Sequence, residues 1–142
     1  MIMQTLGAFL AVISFSYILD LPRKFMVGAG AVGGIGWLVY LLLEKQADSV
    51  ILAAFFSSLV IALISHIFAR IMKAPVTIFL VPGILPSVPG GSIYRCVYYM
   101  IQSEEALSNY YLIETLQIAG AIAMAIFIMD SVFQLGQKKK IS

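Results

Sequence analysis

Long apolar runs separated by short polar breaks dominate this chain. Residues 2–19 carry no charge, and the run stops at Asp20-Leu21-Pro22-Arg23-Lys24. Residues 25–43 and 50–69 repeat the pattern, and residues 112–133 form another run with Glu114 and Asp130 near its ends. A bilayer core ~30 Å thick needs about 20 helical residues at ~1.5 Å rise, so each of these runs predicts a membrane-crossing helix. A further apolar stretch, residues 75–102, breaks the helical pattern. Pro82, Pro86 and Pro89 fall within eight residues of one another, mixed with Gly83, Gly90 and Gly91. Each proline removes an N–H and disfavours helix in the residue before it, which excludes one continuous helix. The pattern predicts a short helix to about Val81, an irregular elbow, and a second helix starting near Ser92. Unwound backbone at membrane depth must be buried in protein or line a wet cavity. The expected architecture is an all-α, polytopic membrane helix bundle. It forms a single membrane domain over residues 1–142, with five transmembrane segments, the fourth broken at the Pro/Gly elbow.

Composition supports lipid as the solvent. Hydrophobic residues make up 61% of the chain and charged residues 11%, against roughly 45–50% and about 25% in globular proteins. A soluble domain this small could not bury so much apolar surface. The first run lacks a basic leader and a small-residue cleavage site, so it reads as a retained span rather than a signal peptide. No basic run carries interleaved aromatics, so nucleic-acid binding is unsupported. The lone Cys96 excludes an internal disulfide and a cysteine metal cage. With one His, one Cys and few internal carboxylates, the chain offers no metal spacing and no nucleophile–base pair. Neither an enzyme nor a cofactor is indicated.

Lysine and arginine counts set the orientation. With the N-terminus outside and the broken segment crossing, Arg23, Lys24, Arg70, Lys73, Lys138, Lys139 and Lys140 face the cytoplasm, and Lys45 and Arg95 do not. That is seven against two. If the segment dips in and returns, the tail lysines move outside and Arg95 inside, giving five against four. Crossing is favoured, with the C-terminus in the cytoplasm. A unit with an odd number of spans, fused to a second such unit, gives the inverted repeats of many secondary transporters. One half alone implies a membrane partner or a homo-oligomer.

Several residues are candidates for function. The elbow and the helix after it come first. Gly90, Gly91 and Ser92 leave backbone N–H groups free at a helix start, where the dipole favours a carboxylate. Broken helices at the midplane hold substrates in this way, although a structural kink would read the same. Tyr94 and Tyr98 lie one turn apart, to line a pathway or to anchor at the interface. Gly30 and Gly34 form a small-xxx-small pair beside Gly33, suited to close helix packing within the chain or against a partner. His66 lies one turn before Arg70, with Ser58 on the same stripe. It is a proton-relay candidate or an interfacial residue. Glu114 shares a face with Gln117 and is either a functional intramembrane acid or a headgroup contact.

The run Arg70-Ile-Met-Lys73-Ala-Pro75-Val-Thr-Ile-Phe79-Leu-Val-Pro82-Gly83-Ile-Leu-Pro86-Ser-Val-Pro89-Gly90-Gly91-Ser-Ile-Tyr94 resembles the signature of the threonine/serine exporter (ThrE) family. The likeness extends to Pro22-Arg23-Lys24, Gly-Gly-Ile-Gly-Trp at 33–37, Ser65-His66-Ile-Phe-Ala-Arg70, and Glu114-Thr-Leu-Gln-Ile-Ala-Gly-Ala121. It is closest to the small subunit of the split, two-protein form. The resemblance implies a bacterial inner-membrane secondary transporter that works with a larger membrane subunit and is coupled to the proton gradient. The implied substrates are threonine and serine, with dicarboxylates such as succinate as the alternative. A non-transporting assembly subunit is the remaining possibility, against which the broken helix argues. No catalytic residues carry over.

Overall fold

The computed structural model describes residues 2–141, with side chains to residue 136. Six α-helices follow one another: α1 Ile2–Ile18, α2 Arg23–Ala47, α3 Val50–Met72, α4 Thr77–Ile84, α5 Gly90–Ile101 and α6 Glu105–Ile141. A 3₁₀ turn, Leu85–Ser87, lies between α4 and α5. No strand occurs among the described residues.

The helix ends follow from local chemistry. Asp20, Asp48, Lys73 and Ser103 adopt positive φ, the left-handed conformation that commonly stops a helix. The Asp48 N–H donates to the Glu44 carbonyl at 3.2 Å, and the Ser49 hydroxyl then caps α3 by accepting from the Leu52 N–H at 3.3 Å. Beyond Lys73, the Ala74 N–H closes back on the Ala69 carbonyl at 2.9 Å, and Pro75 prevents continuation.

Helices α2, α3 and the Glu105–Gly136 part of α6 are long and apolar enough to cross a bilayer. The bent pair Thr77–Ser87 and Gly90–Ile101, at 44° to each other, is a candidate for a fourth crossing or a re-entrant loop. Helix α1 has 17 residues, about 25 Å at ~1.5 Å per residue, and so is shorter than a full span. The break differs in detail from the sequence expectation. Helix α4 runs through Pro82 to Ile84, and α5 begins at Gly90 rather than Ser92. Pro82 sits one turn beyond the first turn of α4, so its missing N–H forfeits a single intrahelical bond. The chain leaves helical geometry only at Val88, with φ −61° and ψ 137°, as expected before Pro89.

Helix α2 is central, packing against α1, α3 and α4, while α6 packs on α3 and α5. Close approach depends on the glycines of α2. A Cβ on Gly33 would run into Val12 of α1, and one on Gly36 into Ile61 of α3. A Cβ on Gly30 would lie 2.7 Å from Ile13 Cγ1, whereas one on Gly34 would make ordinary contact with Phe9 Cβ at 3.5 Å. These surfaces face helices of the same chain. Phe79 of α4 is fully buried, with Phe25 and Phe68 meeting it edge-to-face, both at 5.7 Å between ring centroids. That aromatic cluster holds α4 against α2 and α3.

Candidate functional site

The break after α4 opens a cavity of about 330 Å³. Its elbow wall is formed by Pro86, Ser87, Val88, Pro89, Gly91 and Ser92. Trp37, Tyr40 and Glu44 reach it from α2, Arg95 from α5, and Glu114 and Ile118 from α6. Ligand sites commonly span ~300–1,000 Å³, so this one fits a small metabolite.

Helical periodicity explains the convergence. Trp37, Tyr40 and Glu44 lie three and four residues apart, which places them on one face of α2. The Trp37 and Tyr40 rings stack at 4.9 Å. Arg95 follows Gly91 by one turn of α5, and its guanidinium lies 5.6 Å from the centre of the Tyr111 ring. Glu114 comes one turn after Tyr111, so α6 supplies both the aromatic seat of Arg95 and a carboxylate.

The start of α5 adds backbone donors. The Gly90 N–H is occupied by the Val88 carbonyl at 2.7 Å, and the Ile93 N–H returns to Pro89 at 3.1 Å. Between them, the Gly91 and Ser92 N–H groups have no backbone acceptor among the described residues, the usual state of a first helical turn. The cavity lining thus carries charge of both signs: these amides and Arg95 are positive, and Glu44 and Glu114 are carboxylates. Such a site suits a small molecule carrying both signs of charge.

Of the residues singled out from sequence, Pro86, Pro89, Gly91, Ser92 and Glu114 meet at this cavity. Pro82 and Gly83 are instead buried within α4, where a Cβ on Gly83 would lie 2.8 Å from Val32 Cγ1. Gly90 is exposed, outside the lining. Tyr94 stacks on Tyr98 at 6.2 Å, is 68% exposed and does not line the cavity. Gly30, Gly33 and Gly34 belong to the α1–α2 contact. The side chains of Lys138, Lys139 and Lys140, which weigh in the orientation count, lie outside the described residues.

His66 lies apart from the elbow, between α3 and α6. Its Nε2 is 3.8 Å from Asp130 Oδ1, and its ring stacks on Phe133 at 4.4 Å. Ser58, on the same stripe, is fully buried without a hydrogen-bond partner for its hydroxyl. Sequence reasoning missed Trp37, Tyr40, Glu44 and Arg95. The three-four spacing on α2 is a signal that could have found the first three. Arg95 was read only as an orientation marker, though it stands one turn after Gly91.

The chain matches the family model described as Threonine/Serine exporter, ThrE, over residues 4–132. It belongs to the threonine/serine exporter family. The likeness carried by the Pro82–Tyr94 run is thereby borne out. Membership makes this ThrE-family protein a multi-pass membrane transporter, and the match spans both the elbow cavity and the His66–Asp130 pair. No curated protein and no solved structure matches the chain.

Proposed function

We propose that this ThrE-family chain is the five-span subunit of a two-protein exporter in the bacterial inner membrane, and that its elbow cavity holds threonine or serine during transport. The observation that carries this reading is the pairing of opposite charges in one small cavity. The amino-acid carboxylate would meet the Gly91 and Ser92 amides and Arg95, and the ammonium would meet Glu44 and Glu114. Ser87 and Ser92 supply hydroxyls for the substrate side chain. Charge-assisted hydrogen bonds of this kind contribute roughly 1.5–3 kcal/mol each. A dicarboxylate such as succinate fits less well, because its second carboxylate would face two like charges. Glu114, a proton-coupling candidate from sequence, is assigned here to the ammonium.

Two features support a larger membrane partner. The cavity is open on one side, with Glu44, Gly91 and Arg95 exposed. In addition, only 11% of the apolar window of α6 is buried, against 33% and 39% for α2 and α3. The five crossings include α1, whose short helix is accommodated by local thinning of the bilayer, and the bent pair as one crossing. The N-terminus is outside and the C-terminus cytoplasmic.

Export from proteoliposomes loaded with labelled threonine, serine or succinate tests the proposal. This chain, the larger subunit, and both together are compared. Threonine and serine should leave only when both chains are present. Export of succinate at the threonine rate would defeat the substrate assignment, and full export by this chain alone would defeat the two-protein reading.

A further inference from the structure

We infer that His66 and Asp130 together form a proton-carrying site between α3 and α6, separate from the elbow cavity; this rests on the transport reading above. Histidine is the side chain whose unperturbed titration falls between pH 5 and 8. An ionisable group inside a membrane span is costly unless paired and is functional by default. His66 is the one histidine of the chain. It sits within α3, its side chain is 11% exposed, and it has a carboxylate 3.8 Å away on another helix.

The surroundings give the pair directionality. Asp130 is 53% exposed and accepts a hydrogen bond from Gln134 Nε2 at 3.2 Å, one turn nearer the end of α6. Asp130 is therefore the member that reaches outward, and His66 the member that is covered. Phe133 covers the imidazole face and also carries the Arg70 guanidinium, 4.8 Å from its ring centre. The charged groups that bear on His66 are Asp130 from α6 and Arg70 from its own helix. With neutral His66 the three groups sum to zero; one proton taken from water makes imidazolium and raises the sum to +1. Asp130 offsets that charge only while α6 stays against α3. Movement of α6 away from α3 leaves the imidazolium facing Arg70 alone, and the proton returns to water.

Helix α6 links this event to the substrate. Glu114 and Asp130 stand 16 residues apart on it, about 24 Å at ~1.5 Å per residue. One end of the helix thus contributes to the elbow cavity and the other to the proton site. A single rigid displacement of α6 changes both.

The test uses the complex of this chain with its larger subunit in proteoliposomes. Two activities are compared: accumulation of labelled threonine driven by a pH gradient, and exchange of labelled for unlabelled threonine at equal pH on both sides. Exchange requires the substrate site but no net proton turnover. His66→Gln and Asp130→Asn should each lower gradient-driven accumulation at least tenfold and leave exchange within twofold, and Asp130→Glu should restore part of the accumulation. Because Asp130 is half exposed, its asparagine variant keeps the packing and decides the matter even where His66→Gln fails to insert. Normal accumulation by Asp130→Asn would overturn the inference, as would equal loss of accumulation and exchange, which would assign the pair to packing. Absence of both activities in the unmodified complex would instead overturn the transport reading.

Discussion

Replacing Gly33 with alanine should push α1 away from α2 and destabilise the bundle. The added Cβ would run into Val12 Cγ2 and lie 3.1 Å from Val12 Cβ and 3.3 Å from Cγ1, inside the ~3.5–4.0 Å of comfortable carbon contact. Val12 is fully buried, and a β-branched residue in a helix has one strongly preferred χ1 rotamer. It cannot swing aside, so the helices must separate. Overpacking of this kind costs about 1–3 kcal/mol, while alanine gains about 1 kcal/mol over glycine in a helix interior. Gly120 on α6 provides the reference, since a Cβ there meets nothing within 4 Å. Comparing Gly33→Ala with Gly120→Ala removes the propensity term and leaves the overpacking alone. The two variants of the isolated chain in detergent should therefore differ by about 1–3 kcal/mol in reversible unfolding, with Gly120→Ala the more stable. Equal stability would show that α1 does not rest on Gly33 as described.

Gly91→Val should insert and fold normally, because a Cβ at Gly91 meets nothing within 4 Å, yet lower export by roughly tenfold or more by crowding the carboxylate side; export at the normal rate would remove Gly91 from the site. Tyr94→Phe should leave export within about twofold, because Tyr94 does not line the cavity, and a larger loss would place the hydroxyl on the substrate path. In a Cys96→Ser background, which puts a hydroxyl in place of the thiol beside Ser108, cysteine at Gln46 should be labelled from outside intact cells and cysteine at Lys73 should not. The reverse pattern would invert the topology.

Much of the architecture was legible because its causes are local. Apolar runs and their polar stops gave α2 and α3 to within a few residues, and the apolar middle of α6, whose helix extends further at both ends, from Glu105 to Ile141. Three prolines placed the break between Val81 and Ser92, near where the helices part. The passage of α4 through Pro82 was less legible. It goes with the burial of Pro82 and Gly83, the latter against Val32 of α2. The candidate site was half legible for a similar reason. Gly91, Ser92 and the prolines lie in one stretch, so their grouping needed no tertiary knowledge. Glu44, Arg95 and Glu114 stand in three different helices, and only packing shows that they share a cavity. Asp130 became the partner of His66 in the same way, once α6 lay across α3.

Two-ended recognition in the elbow cavity is tested most directly by competition against export of labelled threonine by the two-chain complex. The competitors are threonine, N-acetylthreonine (which keeps only the carboxylate), threonine methyl ester (which keeps only the ammonium) and succinate. Threonine should compete, and each single-ended analogue should be weaker by roughly tenfold or more, the loss of one charge-assisted hydrogen-bonded end. Arg95→Gln should weaken threonine without further weakening the ester, and Glu114→Gln should weaken threonine without further weakening the N-acetyl compound. Succinate competing as well as threonine, or Arg95→Gln weakening the ester as much as threonine, would contradict a cavity that reads the two ends of a zwitterion.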